Sequence, residues 1–159
     1  TLVDRTGSVE PFASIAADAS LSTLTYAAPE VADIDGDGVL DLLVAYQRGD
    51  NSLRVDLYRA STSYAAETNI LGACCGSGAT DGYRASAVDI DGDGDLDIVV
   101  SGANQVEYFE NAAGAFTLLT GSDNPFAALG DEFRQLTFAD IDGDGLPDAF
   151  GVSTYDDVA

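Results

Sequence analysis

Three short stretches of this chain place carboxylates at their first, third, fifth and ninth positions: DIDGDGVLD at 33–41, DIDGDGDLD at 89–97 and DIDGDGLPD at 140–148. Calcium is a hard cation that takes about six to eight oxygen ligands, and alternating carboxylates with an intervening backbone carbonyl supply them from one loop. The first loop offers the side chains of Asp33, Asp35, Asp37 and Asp41 and the carbonyl of Val39. The second offers Asp89, Asp91, Asp93 and Asp97 with the carbonyl of Asp95, and the third Asp140, Asp142, Asp144 and Asp148 with the carbonyl of Leu146. Gly36 and Gly38, with their counterparts, let the backbone wrap an ion in conformations that a Cβ resists. The expectation is one Ca2+ in each of three sites. As plain polar turns these loops would leave the mutual repulsion of four carboxylates uncompensated.

The same first residues open an EF-hand or a dockerin-like loop, and position twelve separates the two readings. An EF-hand needs Glu there; this chain has Val44, Val100 and Gly151. The segment after each loop is apolar and β-branched rather than amphipathic at helical spacing. The short GGxGxD period of calcium-binding β-rolls is absent.

The elements that must position the loops repeat with them. Approach segments PEVADI, YRASAVDI and FRQLTFADI read as strands, and each loop runs into an apolar segment, DLLVAY, DIVVSG or DAFGV, expected to be a strand buried on both faces. Leu53–Arg59 and Gln105–Glu110 alternate substantially between apolar and polar residues, as a more exposed antiparallel third strand would. AFTLLT supplies a fourth, with a weaker counterpart at AETNIL. Each repeat therefore has the content of a four-stranded propeller blade. The loop starts lie 56 and 51 residues apart, a spacing typical of repeat architectures.

LVDRTGSVEPFASI at the start resembles VEYFENAAGAFTLL of the middle repeat, and the last loop is followed by its buried strand alone. The fold class expected is all-β, with β-propeller-type four-stranded blades, about three per chain, completed by another copy: a half blade at 1–27, blades at 28–82 and 83–132, and a half blade at 133–159.

Composition bounds the rest. With 46% hydrophobic residues the chain can build a core, and its net charge of −22, from 28 acidic residues against six Arg, disfavours nucleic acid and anionic membrane surfaces. Nearly half of the acidic residues fall in the three loops. No apolar run is long enough to span a bilayer, so membrane insertion is not expected. The opening TLVDRTGSVE has neither an initiator Met nor a signal-peptide pattern and reads as a mature or excised segment.

Cys74 and Cys75, the only cysteines, exclude a framework of distant disulfides and a zinc set. Three states stay open for them: a vicinal disulfide, a bond to another chain, or free thiols. Arg48-Gly49-Asp50 spells an RGD tripeptide, though Gly, Asp and Asn51 are also ordinary hairpin-turn residues. The seven Tyr and seven Phe fall mostly on proposed strands, where core packing accounts for them better than sugar stacking. With no His, no Lys, no GxSxG and no Cys/His pair, the usual bases and activated nucleophiles are missing, and an enzyme is not expected.

The DxDGDGxxD loops between two strands, over nearly the whole chain, resemble the FG-GAP or VCBS repeats of integrin α-chain propellers and of many secreted bacterial proteins. The resemblance implies calcium bound by the Asp residues at loop positions one, three, five and nine and by the carbonyl at seven, which match the residues named above one by one. It departs in blade number, since propellers close with about four to eight blades. The function expected is an extracellular, secreted or cell-surface, calcium-binding structural or adhesion module that self-associates through its terminal strands, with a protein or glycan ligand. The alternative is a carbohydrate-binding propeller or the non-catalytic propeller part of a larger secreted enzyme, which a glycan array would separate from the first.

Overall fold

The computed structural model describes residues 25–47, 53–72, 83–102, 105–129 and 133–153. Among the described residues, ten strands form three antiparallel sheets. The first has the order β1 (Thr25–Ala32), β2 (Asp41–Gln47), β3 (Leu53–Tyr58) and β4 (Ala66–Glu67), and the second β5 (Arg84–Val88), β6 (Asp97–Gly102), β7 (Gln105–Ala112) and β8 (Ala115–Leu119). The third pairs β9 (Phe133–Ala139) with β10 (Asp148–Ser153). Among the described residues the only helical segments are two 3-10 turns, at Ala60–Thr62 and Gly121–Asp123. β1 begins at Thr25 and so crosses the 27/28 boundary drawn from the sequence.

Register is the same in all three sheets. The residue before each loop pairs with the loop's ninth: Ala32 with Asp41, Val88 with Asp97, Ala139 with Asp148. Each Asp-rich loop is thus the hairpin connection between the first and second strands of its sheet.

The alternation of side chains along a strand divides each sheet into a front face and a back face, and the fronts pack onto the backs in chain order. Leu43, Ala45, Leu53, Val55 and Leu57 on the front of the first sheet share one core with Tyr83, Ala85, Ile98, Val100 and Phe109 on the back of the second. Val99 and Tyr108 on the front of the second share another with Phe126, Leu136 and Phe138. Within it the Phe126 ring stands edge-on to Tyr108 and Phe138, with centroids 6.1 and 6.0 Å apart. β6 sits between two such layers, and β2 is covered in front by the second sheet while Val44 on its back is buried beside Tyr58 and Tyr64, which agrees with their nearly continuous apolar sequence.

β10 departs from the sequence reading. Ala149, Phe150 and Gly151 are exposed, so DAFGV is not a doubly buried strand here. Leu43 and Val99, which hold the position of Phe150 in the other two sheets, are each 1% exposed, whereas Phe150 is 45% exposed. The physical reason lies in the layering: among the described residues no third strand pairs with β10, and no sheet covers the face that carries Phe150.

Candidate metal centres

Three loops of nearly identical sequence fold into nearly identical hydrogen-bond patterns. In each, the backbone N–H at position two donates to the carboxylate at position nine: Ile34 to Asp41 at 3.0 Å, Ile90 to Asp97 at 3.0 Å and Ile141 to Asp148 at 2.9 Å. The glycine N–H at position six donates back to position one: Gly38 to Asp33, Gly94 to Asp89 and Gly145 to Asp140, at 2.9 to 3.1 Å. Positions three and five each accept from the N–H two residues on, as in Val39 to Asp37 at 2.8 Å and Asp95 to Asp93 at 2.9 Å. These turns of Asp side chain onto nearby backbone wind the loop and hold its carboxylates together. The winding needs left-handed backbone at positions four and six, and Gly92 and Gly94 adopt φ of 78° and 96° there.

The carboxylates converge. Oxygens of Asp33, Asp35 and Asp37 in the first loop, of Asp89, Asp91 and Asp97 in the second, and of Asp140, Asp142 and Asp148 in the third lie within 4.8 Å of one another in each set. Asp41 in the first loop, and Asp93 and Asp144 in the others, stand outside these sets. The Asp95 side chain turns away to accept the N–H of Ala113 at 3.0 Å, which leaves its proposed ligand role to the backbone carbonyl.

The donors fit a hard cation: every group is an oxygen, and three carboxylates at this separation repel one another in its absence. In the first loop Oδ1 of Asp33 is buried with no hydrogen-bond partner. A desolvated carboxylate oxygen without a partner is costly, and a cation among Asp33, Asp35 and Asp37 removes that cost.

Position nine carries a second role that sequence reasoning missed. Asp41 and Asp97 are 0% exposed. Asp97 accepts from the N–H of Ile90, from the Tyr108 hydroxyl at 2.9 Å and from the N–H of Asn111 at 2.8 Å, so it ties the loop to β7. Asp41 accepts from the N–H of Ala60 at 2.8 Å in the equivalent way. Burial pushes the Asp97 carboxyl above its ordinary range, against the lowering effect of its three hydrogen bonds; a cation in the loop opposes that rise. Burial and the bond to Asp97 likewise push the Tyr108 phenol well up, keeping it a donor. Asn111 completes the tie, giving its side-chain N–H to the carbonyl of Leu96 and accepting from Gly114. The only sequence signal for these supports was a polar residue at the far end of a third strand.

Asp56, also buried, braces β3 by accepting from the Tyr46 hydroxyl and from the N–H of Asn69. Arg48-Gly49-Asp50, Cys74, Cys75 and the terminal segments 2–15 and 154–159 lie outside the described residues. No helix among the described residues is long and apolar enough to cross a membrane.

No curated protein matches the chain. The family model of the FG-GAP-like repeat matches it twice, over residues 33–100 and 89–151. Each match takes in two of the three loops, and together they span most of the chain and all but the first approach strand of the three sheets. Repeats of this kind form propeller blades, in agreement with the two four-stranded sheets and the open third one. The chain belongs to the FG-GAP-like repeat family.

Proposed function

We propose that the chain is a non-enzymatic, extracellular calcium-binding module in which one ion per loop stiffens each propeller blade and makes it a structural or adhesive building block. The observation that carries this reading is the convergence of three carboxylates in every loop, at the same place in every sheet. The family supports both the location and the ion, since FG-GAP-like repeats are typical of extracellular and surface proteins and often bind calcium. Asp33, Asp35, Asp37 and Asp41 with the carbonyl of Val39 serve the first ion, and the matching residues of the other loops serve theirs. Repeats couple mainly to their neighbours. Asp37→Ala, Asp93→Ala and Asp144→Ala are therefore each expected to lower bound calcium, measured by atomic emission after gel filtration, by about one ion and leave about two. Loss of all three from one substitution would mean a single cooperative site.

The module also associates head to tail. Phe150 points to where the next sheet belongs, since Leu43 and Val99 at the same position are covered by the following sheet. The occupant proposed is a second copy of this chain, joined through the terminal segments, whose first sheet covers Phe150. A chain of about three blades closing on itself would need a smaller ring than propellers form, whereas two copies give six blades, and a heterologous contact of this kind closes or propagates according to its rotation. Sedimentation of the 159-residue chain with calcium is expected to give dimers or larger species, and Phe150→Glu to give monomers. A wild-type chain that stays monomeric across the concentration range refutes the assembly without touching the calcium sites.

A further inference from the structure

Although the three loops are alike in sequence, the side chains around the first are not like those around the second. Arg59 comes directly after β3, at the end that faces the loop. Its Nη1 lies 3.8 Å from Oδ2 of Asp35 and its Nε donates to Glu67 at 3.0 Å. The Ser61 hydroxyl donates to the same Oδ2 of Asp35 at 3.0 Å. The Arg59 side chain is 14% exposed and the Asp35 side chain 20%, although Asp35 as a whole residue is exposed on its loop, so water screens the pair in part. The guanidinium also lies beside the β7–β8 turn of the neighbouring sheet, where a Cβ at Gly114 would sit 3.8 Å from Nη2.

The backbone identifies the matching residue in the second sheet. Leu42 pairs with Tyr58 as Ile98 pairs with Phe109, and the N–H groups of Ala60 and Asn111 both donate to Oδ1 of the ninth-position Asp. Arg59 therefore corresponds to Glu110. One loop has a fixed positive charge on a ligand carboxylate, and the other has a negative residue at the equivalent position.

We propose that Arg59 makes the first loop a weaker calcium site than the second, by competing with the ion for Asp35 and by repelling it. This rests on the calcium reading above. A divalent ion entering the first loop must displace Ser61 and the guanidinium from Asp35 or share that carboxylate with them, and it meets a positive charge within a few ångströms. Charge repulsion at that range, through a partly screened medium, weakens binding roughly tenfold. The second loop fills first, and the first loop responds at higher calcium, which gives the module a graded response.

Each loop carries its own glycines, so their amide signals in a 1H–15N spectrum report the loops separately in the full 159-residue chain. In a calcium titration Gly36 and Gly38 are expected to reach their midpoint at roughly tenfold higher calcium than Gly92 and Gly94. Arg59→Gln is expected to lower the midpoint of the first loop roughly tenfold and leave the others within about twofold. Arg59→Lys keeps the charge and should leave the first loop weak. If Gly38 moves with or before Gly94 in the wild-type chain, the proposal fails whether or not the variants fold. It fails also if Arg59→Gln leaves the midpoint in place, or if Arg59→Lys shifts it as far as Arg59→Gln does, since that assigns the effect to lost packing. A wild-type chain in which no loop responds to calcium overturns the calcium reading itself.

Discussion

Asp97→Ala, melted in chelator so that no ion takes part, should unfold about 10 °C below Asp93→Ala, although both residues belong to the same loop. Asp93 is exposed, and its carboxylate accepts only the local N–H of Asp95. Its removal without calcium costs about 1 kcal/mol or less, and relief of repulsion among the loop carboxylates offsets part of that. Asp97 is fully buried and accepts from Ile90, Tyr108 and Asn111. Truncating it leaves two backbone N–H groups and a phenol without a partner inside the fold, a loss of about 3 to 5 kcal/mol. At about 2 to 4 °C per kcal/mol for a chain of this size, the gap is roughly 10 °C. Asp97→Asn retains an acceptor and should fall between the two. Equal melting temperatures for Asp97→Ala and Asp93→Ala would show that position nine is a ligand only and does not pin the loop to β7.

Removing calcium from the unaltered chain is expected to have an effect of similar size. A ligand that binds only the folded form stabilises it by mass action, about 1.4 kcal/mol per site at a free concentration ten times Kd. Three independent sites contribute roughly 4 kcal/mol, so chelation should lower the melting temperature by roughly 10 °C and added calcium should restore it. Magnesium should restore little, because it demands regular octahedral coordination and loses its water reluctantly. The loss in chelator should be larger at low ionic strength, where repulsion among the emptied carboxylates is least screened. An unchanged melting curve, with metal analysis confirming removal of the ion, would separate the loops from the stability of the blades.

Most of this architecture was legible from the sequence because the loops act as a ruler. Once DxDGDGxxD was placed three times, the strands before and after it could be assigned from their apolar character, and the structure puts Ala32, Val88 and Ala139 opposite Asp41, Asp97 and Asp148 in one shared register. The alternating segments became β3 and β7, since period-two patterning is a backbone property, but β3 is buried at all its residues except Arg54 instead of being the more exposed strand expected.

The features that were not legible depended on neighbours. DAFGV has the composition of a doubly buried strand, and Phe150 is nevertheless exposed, because burial of that face requires a following sheet. The division of labour among the Asp residues was also hidden. Spacing alone treats Asp93 and Asp97 as equivalent ligands, whereas β7 reaches only the second with a hydroxyl and an N–H. Arg59 carried no signal either, since its relation to Asp35 arises from the turn after β3 rather than from the motif. Contacts of this kind, between segments distant in the chain, are fixed by the fold and leave no local pattern.

The central claim, that each loop holds its own calcium ion, is tested most directly by the number of ions bound. The 159-residue chain, dialysed against saturating calcium with magnesium in excess and assayed for both metals at known protein concentration, is predicted to carry three calcium ions per chain and no magnesium. Two or fewer calcium ions per chain under those conditions, or magnesium bound in their place, would contradict the account.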